Sequence, residues 1–144
     1  MMKRRVELLF CIIAVAVVVI DQLVKSAITK IPLNTEILFP FFSITHVHNL
    51  GASFGILQGS TTFLIWFSVA VLTGIVWHLK KTPWRMVPFV AVIAGGAVSN
   101  LIDRVNLGYV VDYINFWYIP TFNVADIAIT AGTVGLGVWI YFKE

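Results

Sequence analysis

Four apolar segments divide this chain and constrain its fold more than any other feature. They cover about residues 8–28, 61–79, 86–102 and 122–142, and each is close to the roughly 20 residues with which a helix crosses a bilayer. Charged residues make up 12% of the chain and hydrophobic residues 59%, whereas soluble domains carry about 25% charged residues. The sequence therefore predicts an all-α polytopic membrane protein, a single domain over residues 1–144 with no separate soluble part.

The first segment follows Lys3, Arg4 and Arg5, a start that is also typical of a cleaved signal peptide. Three more apolar segments follow, so we interpret it as an uncleaved helix, which must continue through Asp21 and Lys25 to reach spanning length. These two residues are four apart on one helix face and can neutralise each other. The pair could end the helix at the interface or support a neighbouring site, and both alternatives stay open.

The placement of Lys and Arg predicts the topology. The connections at residues 29–60 and 103–121 are poor in basic residues, and the cluster on the other side is Lys3, Arg4, Arg5, Lys80, Lys81, Arg85 and Lys143. The positive-inside rule then puts both termini in the cytoplasm and those two connections outside. Because the basic residues flank apolar segments, the net charge of +3 indicates membrane topology rather than nucleic-acid binding.

The first outward connection is expected to be rich in β structure. Ile44, His46 and His48 alternate after an aromatic cluster, which predicts short strands near the membrane surface. The two histidines stand without an HExxH motif, so a zinc site is not favoured. The single Cys11 excludes an intramolecular disulfide. Ser53 lacks an evident base other than these histidines, so serine catalysis is not favoured either.

Polar residues from distant parts of the chain converge on the outer side in this topology. They come from the ends of the first, third and fourth segments and from both connections: Asp21, Lys25, Asn49, Asn100, Asp103, Arg104, Asp112, Asn123 and Asp126. A charge at the centre of a membrane helix costs roughly 2.5–3.5 kcal/mol or more, so such residues are functional candidates by default. The expected site lies at the outer membrane interface.

Pairing of opposite charges indicates which of the carboxylates are candidates for catalysis. Asp103 can pair with Lys25, and Arg104 with Asp21. The other two carboxylates, at 112 and 126, then lack an evident cation. Two such groups brought together share a proton, so that one can activate water while the other protonates a carbonyl. Peptide hydrolysis is the natural use, although charge counting alone could have selected Asp103.

Three alternatives remain at this point. The carboxylates could be interface residues or helix caps, with Asn123 capping the fourth helix and Asp126 near its positive end. A proton- or ion-coupled membrane protein would need ionisable groups at several depths, and the cytoplasmic halves of the segments have none. A non-catalytic scaffold could also keep the fold, although the intact aspartates argue against it.

Five blocks of sequence resemble the lipoprotein signal peptidases, or signal peptidase II, a family of bacterial membrane aspartyl peptidases. In the family's order they are DQLVK (21–25), HNLGASFGIL (48–57), GGAVSNLIDR (95–104), GYVVDYI (108–114) and FNVADIAI (122–129). Each block is weak evidence alone, but together they are highly specific and extend from the first segment to the last.

The resemblance implies four transmembrane helices, an extracytoplasmic β-cradle after the first, and a second outward loop that closes over the site. It implies a catalytic dyad at Asp112 and Asp126. The supporting or substrate-binding positions that it implies are Asp21, Lys25, Asn49, Gly96, Asn100, Asp103, Arg104, Asn123 and Ala125.

The implied activity is removal of the signal peptide from diacylglyceryl-modified prolipoproteins, with cleavage before the lipidated cysteine. The implied setting is the bacterial cytoplasmic (inner) membrane, with membrane lipid around a protein expected to be a monomer. Neither metal nor cofactor is implied, and globomycin is the expected inhibitor. The chain departs from the family at Ser99, where glycine is usual, at Ser53, where alanine is commoner, and in a short second outward connection.

Overall fold

The computed structural model describes residues 2–51 and 59–143. Within these ranges the chain has four long helices, α1 (Met2–Ile28), α2 (Thr61–Leu79), α3 (Val87–Leu107) and α4 (Val124–Lys143). All four are long and apolar enough to cross a membrane, so the predicted four-helix membrane fold is confirmed. α3 continues past the expected end of the third span at residue 102, which places Asp103 and Arg104 in its last turns rather than in the connection.

Both outward connections contribute to one antiparallel sheet. Its strands are β1 (Glu36–Leu38), β2 (Ser43–Asn49), β3 (Val110–Phe116) and β4 (Ile119–Phe122), hydrogen-bonded in that order. The β-rich element expected after the first helix is confirmed by β1 and β2. The second connection, expected to be a closing loop, instead forms β3 and β4 and extends the sheet. Ser53 lies outside the described residues.

α3 is the central helix and packs against the other three. Two adjacent glycines allow the close approach. A Cβ atom at Gly95 would lie 2.7 Å from the carbonyl oxygen of Ala14 in α1, and one at Gly96 would lie 2.5 Å from that of Ala125 in α4. Small residues at such positions let helix backbones approach closely in membranes. Gly96 thereby holds α3 against the first turn of α4, the turn that contains Asp126.

A left-handed glycine turns the chain from α3 into the sheet. Gly108 has φ of 82° and donates its N–H to the Arg104 carbonyl, an arrangement typical of helix C-termini that glycine adopts without strain. β3 starts directly afterwards. Val111 and Tyr113 of β3 then pack on Ile28 at the end of α1 in a small apolar core. The sheet is therefore fixed on the helix ends.

The helices run antiparallel and separate a polar end from a basic end. Gly96 of α3 faces the start of α4, whereas Gly132 farther along α4 faces Phe89 near the start of α3. Thr61 at the start of α2 donates to the Gly108 carbonyl at 3.1 Å. The sheet and the candidate site therefore share one end of the bundle. The described basic residues at the opposite helix ends and turn are Arg4, Arg5, Lys80, Lys81, Arg85 and Lys143.

Candidate active site

A buried lysine joins two buried carboxylates at the polar end. The Lys25 Nζ atom lies 2.7 Å from Asp21 Oδ2 and 2.8 Å from Asp103 Oδ2, and these side chains are exposed by 3%, 0% and 3% respectively. The ammonium also donates to Asn100 Oδ1 at 3.0 Å, so all three of its N–H donors are used. We call Asp21, Lys25 and Asp103 the lysine cluster. The pairing of Lys25 with Asp103 is confirmed, and the Asp21–Lys25 pair lies inside the protein rather than exposed at a helix end.

The pairing of Arg104 with Asp21 is wrong. The Arg104 guanidinium donates to the Gly51 carbonyl at 3.2 Å. Successive residues of a helix project about 100° apart, because 3.6 residues make one turn. With Asp103 directed at Lys25, Arg104 faces away from α1 and lines a neighbouring cavity.

Asp103 also holds the backbone of β3. The Val111 N–H donates to Asp103 Oδ2 at 3.1 Å, and both groups are buried. Val111 immediately precedes Asp112 in the sequence. The carboxylate at the end of α3 therefore fixes the strand position next to Asp112.

Asp21 holds α4 in the same way. The Ala125 N–H donates to Asp21 Oδ1 at 2.9 Å, and Ala125 immediately precedes Asp126. Each candidate catalytic aspartate thus follows a residue whose N–H is bound by one carboxylate of the lysine cluster. Because Lys25 contacts both carboxylates, the lysine cluster links the backbone positions of Asp112 and Asp126.

Asp112 receives an amide hydrogen bond on each oxygen. It pairs with Val47 across the sheet, so Asn49, two residues farther along β2, is its diagonal neighbour on the same face. The Asn49 amide donates to Asp112 Oδ2 at 2.7 Å, and the Asn123 amide donates to Oδ1 at 2.7 Å. The side chain of Asp112 is held by two neutral groups from separate elements.

Asp126 is held in a matching way at the start of α4. Asn100 Nδ2 donates to Asp126 Oδ1 at 2.9 Å, and the backbone N–H of Asn123 donates to Oδ2 at 3.2 Å. In return the Asp126 N–H donates to Asn123 Oδ1 at 2.9 Å, a reciprocal capping arrangement. The expectation that Asn123 caps the fourth helix is confirmed, and the same residue contacts both aspartates.

The contacts determine which way the key amides point. Lys25 can only donate, so the oxygen of Asn100 faces it and the NH₂ group faces Asp126. Asn49 accepts the Gly51 N–H on its oxygen at 2.9 Å, which turns its NH₂ group toward Asp112. Both aspartates are consequently surrounded by donors.

Burial raises the pKa of Asp112 to about 7, and the nearby charge of Asp126 acts in the same direction. The hydrogen bonds from Asn49 and Asn123 and the more distant charge of Lys25 oppose the change. Over residues 2–51 and 59–143, the ion pairs within 4.0 Å both belong to Lys25, so neither Asp112 nor Asp126 has one there. Near neutral pH Asp112 can therefore either hold or release a proton.

Three residues that contact this network were missed as site residues in the sequence. Gln22 Nε2 donates to Ser99 Oγ at 2.9 Å and to Asp103 Oδ1 at 2.8 Å, and Ser99 Oγ donates to Asp21 at 2.7 Å. The Tyr113 hydroxyl accepts the Val124 N–H at 3.1 Å. The available signals were weak: Gln22 adjoins Asp21, and Ser99 stands where the resemblance expects glycine.

A cavity of about 1280 Å³ opens beside the two aspartates. Asn49, Asn100, Arg104, Asp112 and Asp126 line its polar end. Its remaining wall comes largely from apolar side chains of three helices, among them Leu64, Phe67, Val71, Ile93, Ile127 and Val134. These features define a polytopic membrane protein in which a pair of carboxylates faces an apolar cavity.

Comparisons with known proteins agree with this class. The family profile described as signal peptidase (SPase) II matches residues 13–142. The lipoprotein signal peptidase of Caldanaerobacter subterraneus subsp. tengcongensis is 41% identical over 138 residues, covering 92% of this chain and 95% of the relative. That of Symbiobacterium thermophilum is 40% identical over 140 residues, covering 90% and 91%.

Solved structures agree as well. A bacterial membrane enzyme determined by the in meso method at 2.3 Å resolution superposes with a TM-score of 0.86 at 33% identity, covering 93% of this chain and 87% of that one. A second, at 1.9 Å resolution, has a TM-score of 0.83 at 33% identity and covers 94% and 93%. The chain belongs to the signal peptidase II family, and it is a membrane protease.

Proposed function

We propose that Asp112 and Asp126 are the catalytic dyad of an aspartic endopeptidase. Its substrate is a prolipoprotein whose cysteine carries a diacylglyceryl group, and it hydrolyses the peptide bond just before that cysteine. The relatives named lipoprotein signal peptidase support the substrate class.

One observation carries the assignment of the dyad. Asp112 and Asp126 are bonded through the same Asn123 and line the same cavity, and each has amide N–H donors on both oxygens. Fixed donors of this kind hold carboxylates in place without neutralising their charge. The charges can therefore be used for proton transfer.

In the proposed reaction the pair holds one proton. The ionised carboxylate takes a proton from a water molecule as that water attacks the scissile carbonyl, and the protonated carboxylate donates to the carbonyl oxygen. Because the two groups are coupled, the pair titrates as a unit and no proton is assigned to one residue. Arg104, on the cavity wall, is positioned to orient the substrate backbone.

The apolar part of the cavity suits the signal helix of the substrate. The wall residues of α2, α3 and α4 are aliphatic or aromatic for several helical turns below the aspartates, and apolar surface favours burial of an apolar helix. The cavity is open, so the lipid tails on the cysteine can stay in the bilayer while the peptide bond reaches the dyad.

We further propose that the dyad lies at the outer face of the bacterial cytoplasmic membrane, with both termini in the cytoplasm. The basic residues at the opposite end of the bundle support this orientation through the positive-inside rule. The protein is proposed to act as a monomer, because one chain is enough to supply a hydrogen-bond donor to each of the four dyad oxygens.

A cleavage assay tests the proposal. Purified protein in detergent is mixed with diacylglyceryl-modified prolipoprotein, and the product is detected by its gel shift. Asp112→Asn and Asp126→Asn are compared with Glu36→Gln, which removes an exposed carboxylate of β1. Activity that survives a chelator, persists in Glu36→Gln, falls with globomycin and disappears in both dyad variants is the expected result. A dyad variant that cleaves at the wild-type rate would overturn it.

A further inference from the structure

Gln22 and Ser99 form a second link between the two carboxylates of the lysine cluster. Ser99 is fully buried in α3, and its hydroxyl donates to Asp21 Oδ2 at 2.7 Å. Gln22 in α1 donates to that hydroxyl at 2.9 Å and to Asp103 Oδ1 at 2.8 Å. A continuous hydrogen-bonded path therefore runs from Asp103 through Gln22 and Ser99 to Asp21, parallel to the salt bridges of Lys25.

The chemistry of the groups determines the directions of the two bonds made by Ser99 Oγ, and Gln22 Nε2 also lies 3.3 Å from the Ser99 carbonyl oxygen. A hydroxyl has one hydrogen to donate and lone pairs to accept with, and Asp21, which already receives the Lys25 ammonium, can accept the hydroxyl hydrogen. Ser99 Oγ thus accepts from the Gln22 amide. Alanine or glycine at residue 99 would leave Asp21 without this donor and would leave the Gln22 amide without this acceptor.

The two carboxylates joined by this path are those that hold the backbone beside the aspartates. Asp103 accepts the Val111 N–H of β3, and Asp21 accepts the Ala125 N–H of α4. A rotation of either carboxylate would move the N–H that it holds, and the neighbouring aspartate would move with it. Displacements near 1 Å at a reacting group are enough to reduce a rate strongly.

We propose that Ser99 and Gln22 are positioning residues of the peptidase. Their link sets the orientation of Asp21 and Asp103, and through them the separation of the two aspartates of the dyad. This proposal rests on the proposed function. It assigns neither residue a contact with substrate, so binding of the prolipoprotein should not depend on the link.

The test compares Ser99→Ala, Gln22→Met and the double variant in the cleavage assay, with kcat, KM and thermal unfolding measured for each. Gln22→Met keeps the side-chain length and removes the donor. Leu79→Ala is the matched control, because it truncates a buried side chain of α2 at the other end of the bundle and lowers stability without touching the link.

We expect each single variant to lose about tenfold in kcat with KM within twofold of wild type, in line with loss of a hydrogen bond to a charged group. The double variant should lose little more than the worse single variant, because coupled residues are not additive. Ser99→Cys, which keeps a weak donor, should recover part of the rate.

Several outcomes would overturn the positioning role. A lowered melting temperature with unchanged kcat, or a kcat loss equal to that of Leu79→Ala at equal stability, would make the link structural only. A raised KM at constant kcat would make it a binding element. If Asp112→Asn and Asp126→Asn stay active, the proposed function fails; if they are inactive while Ser99→Ala and Gln22→Met cleave like wild type, only the positioning role fails.

Discussion

The lysine cluster and the aspartate pair lie side by side, and each contains two buried aspartates. The aspartates of the two groups have different surroundings. In the lysine cluster Asp21 and Asp103 are ion-paired to Lys25 within 2.8 Å and each also accepts a backbone N–H. Asp112 and Asp126 have amide donors on both oxygens and face a cavity. The difference is a cation at ion-pair distance, which among the described residues only Asp21 and Asp103 have.

We infer from this difference that the lysine cluster has a structural role and that the aspartate pair has a chemical one. A buried carboxylate bound to an ammonium supports the surrounding backbone. A buried carboxylate surrounded by neutral amides keeps its place while its proton stays exchangeable, as the raised pKa of Asp112 indicates. The predictions below test this division, starting from the largest effect.

Neutralising one aspartate of the pair should affect activity and spare stability. Asp112→Asn or Asp126→Asn removes one of the two proposed proton-transfer groups, and such groups contribute about 10²–10⁴-fold to rates. We expect cleavage to fall by at least that factor, while the melting temperature falls less than in a variant that breaks an ion pair, because one hydrogen bond to an oxygen is lost but no ion pair is. Paired cleavage and thermal-unfolding measurements check this. A large loss of stability would show that the pair is also structural.

Removing the Lys25 ammonium should mainly lower the stability of the protein. Lys25→Met leaves Asp21 and Asp103 buried with their neutral hydrogen-bond donors but without a cation, and breaking a buried ion pair in this way costs about 3–5 kcal/mol. Thermal unfolding in detergent, with Lys30→Met as the exposed-lysine control, measures the effect. Adding Asp21→Asn and Asp103→Asn to Lys25→Met should restore part of the stability. No restoration would contradict the electrostatic explanation.

Activity should decline as the pH rises through about 7. The proposed reaction needs one proton on the pair, and burial, followed by the Asp126 charge, raises the pKa of Asp112 to about 7. Below that pH the pair keeps its proton; above it both carboxylates ionise, and proton donation to the carbonyl is lost. The dependence of kcat/KM on pH, measured with a pH-insensitive control for substrate solubility, tests this. A rate constant that stays level to pH 9 would contradict it.

Removing one amide donor to Asp112 should shift the decline of kcat/KM at alkaline pH, which we call the alkaline limb. The Asn49 hydrogen bond favours the ionised form of Asp112 and so lowers its pKa. Asn49→Ala should therefore shift the limb to higher pH by about one pH unit. Asn115→Ala is the matched control, since Asn115 bonds Ser43 elsewhere in the same sheet. A shift to lower pH, or an equal shift in the control, would contradict the assigned role of Asn49.

The helices could be predicted because the physical signal is long and repeated. Apolar segments of spanning length and biased basic residues are read directly from the chain. The convergence of Asp21, Asp103 and Asp126 at one end also followed, because topology alone brings alternate helix ends together. The pairing of Lys25 with Asp103 needed only opposite charges on neighbouring helices.

The sheet and the fine contacts could not be predicted in the same way. β3 is buried at Val110, Val111, Asp112 and Tyr113 in succession, so it lacks the alternation that indicates a half-exposed strand. The direction in which Arg104 projects depends on the rotation of α3, which charge counting ignores. A single serine at position 99 of an apolar helix does not indicate a site residue in the sequence. Its role is visible only when the structure shows its contacts with Asp21 and Gln22.

The antiparallel order of the helices has a consequence for how the protein is made. Asn49 belongs to the first connection, Asp112 to the second, and Asn123 and Asp126 to the start of α4. While the fourth helix of a nascent chain is still inside the ribosome, Asp112 can reach the membrane, but Asn123 and Asp126 cannot yet join it there. The proposed reaction needs both carboxylates, so on this proposal it begins only when the final helix enters the bilayer, and the partly inserted chain is inactive until then.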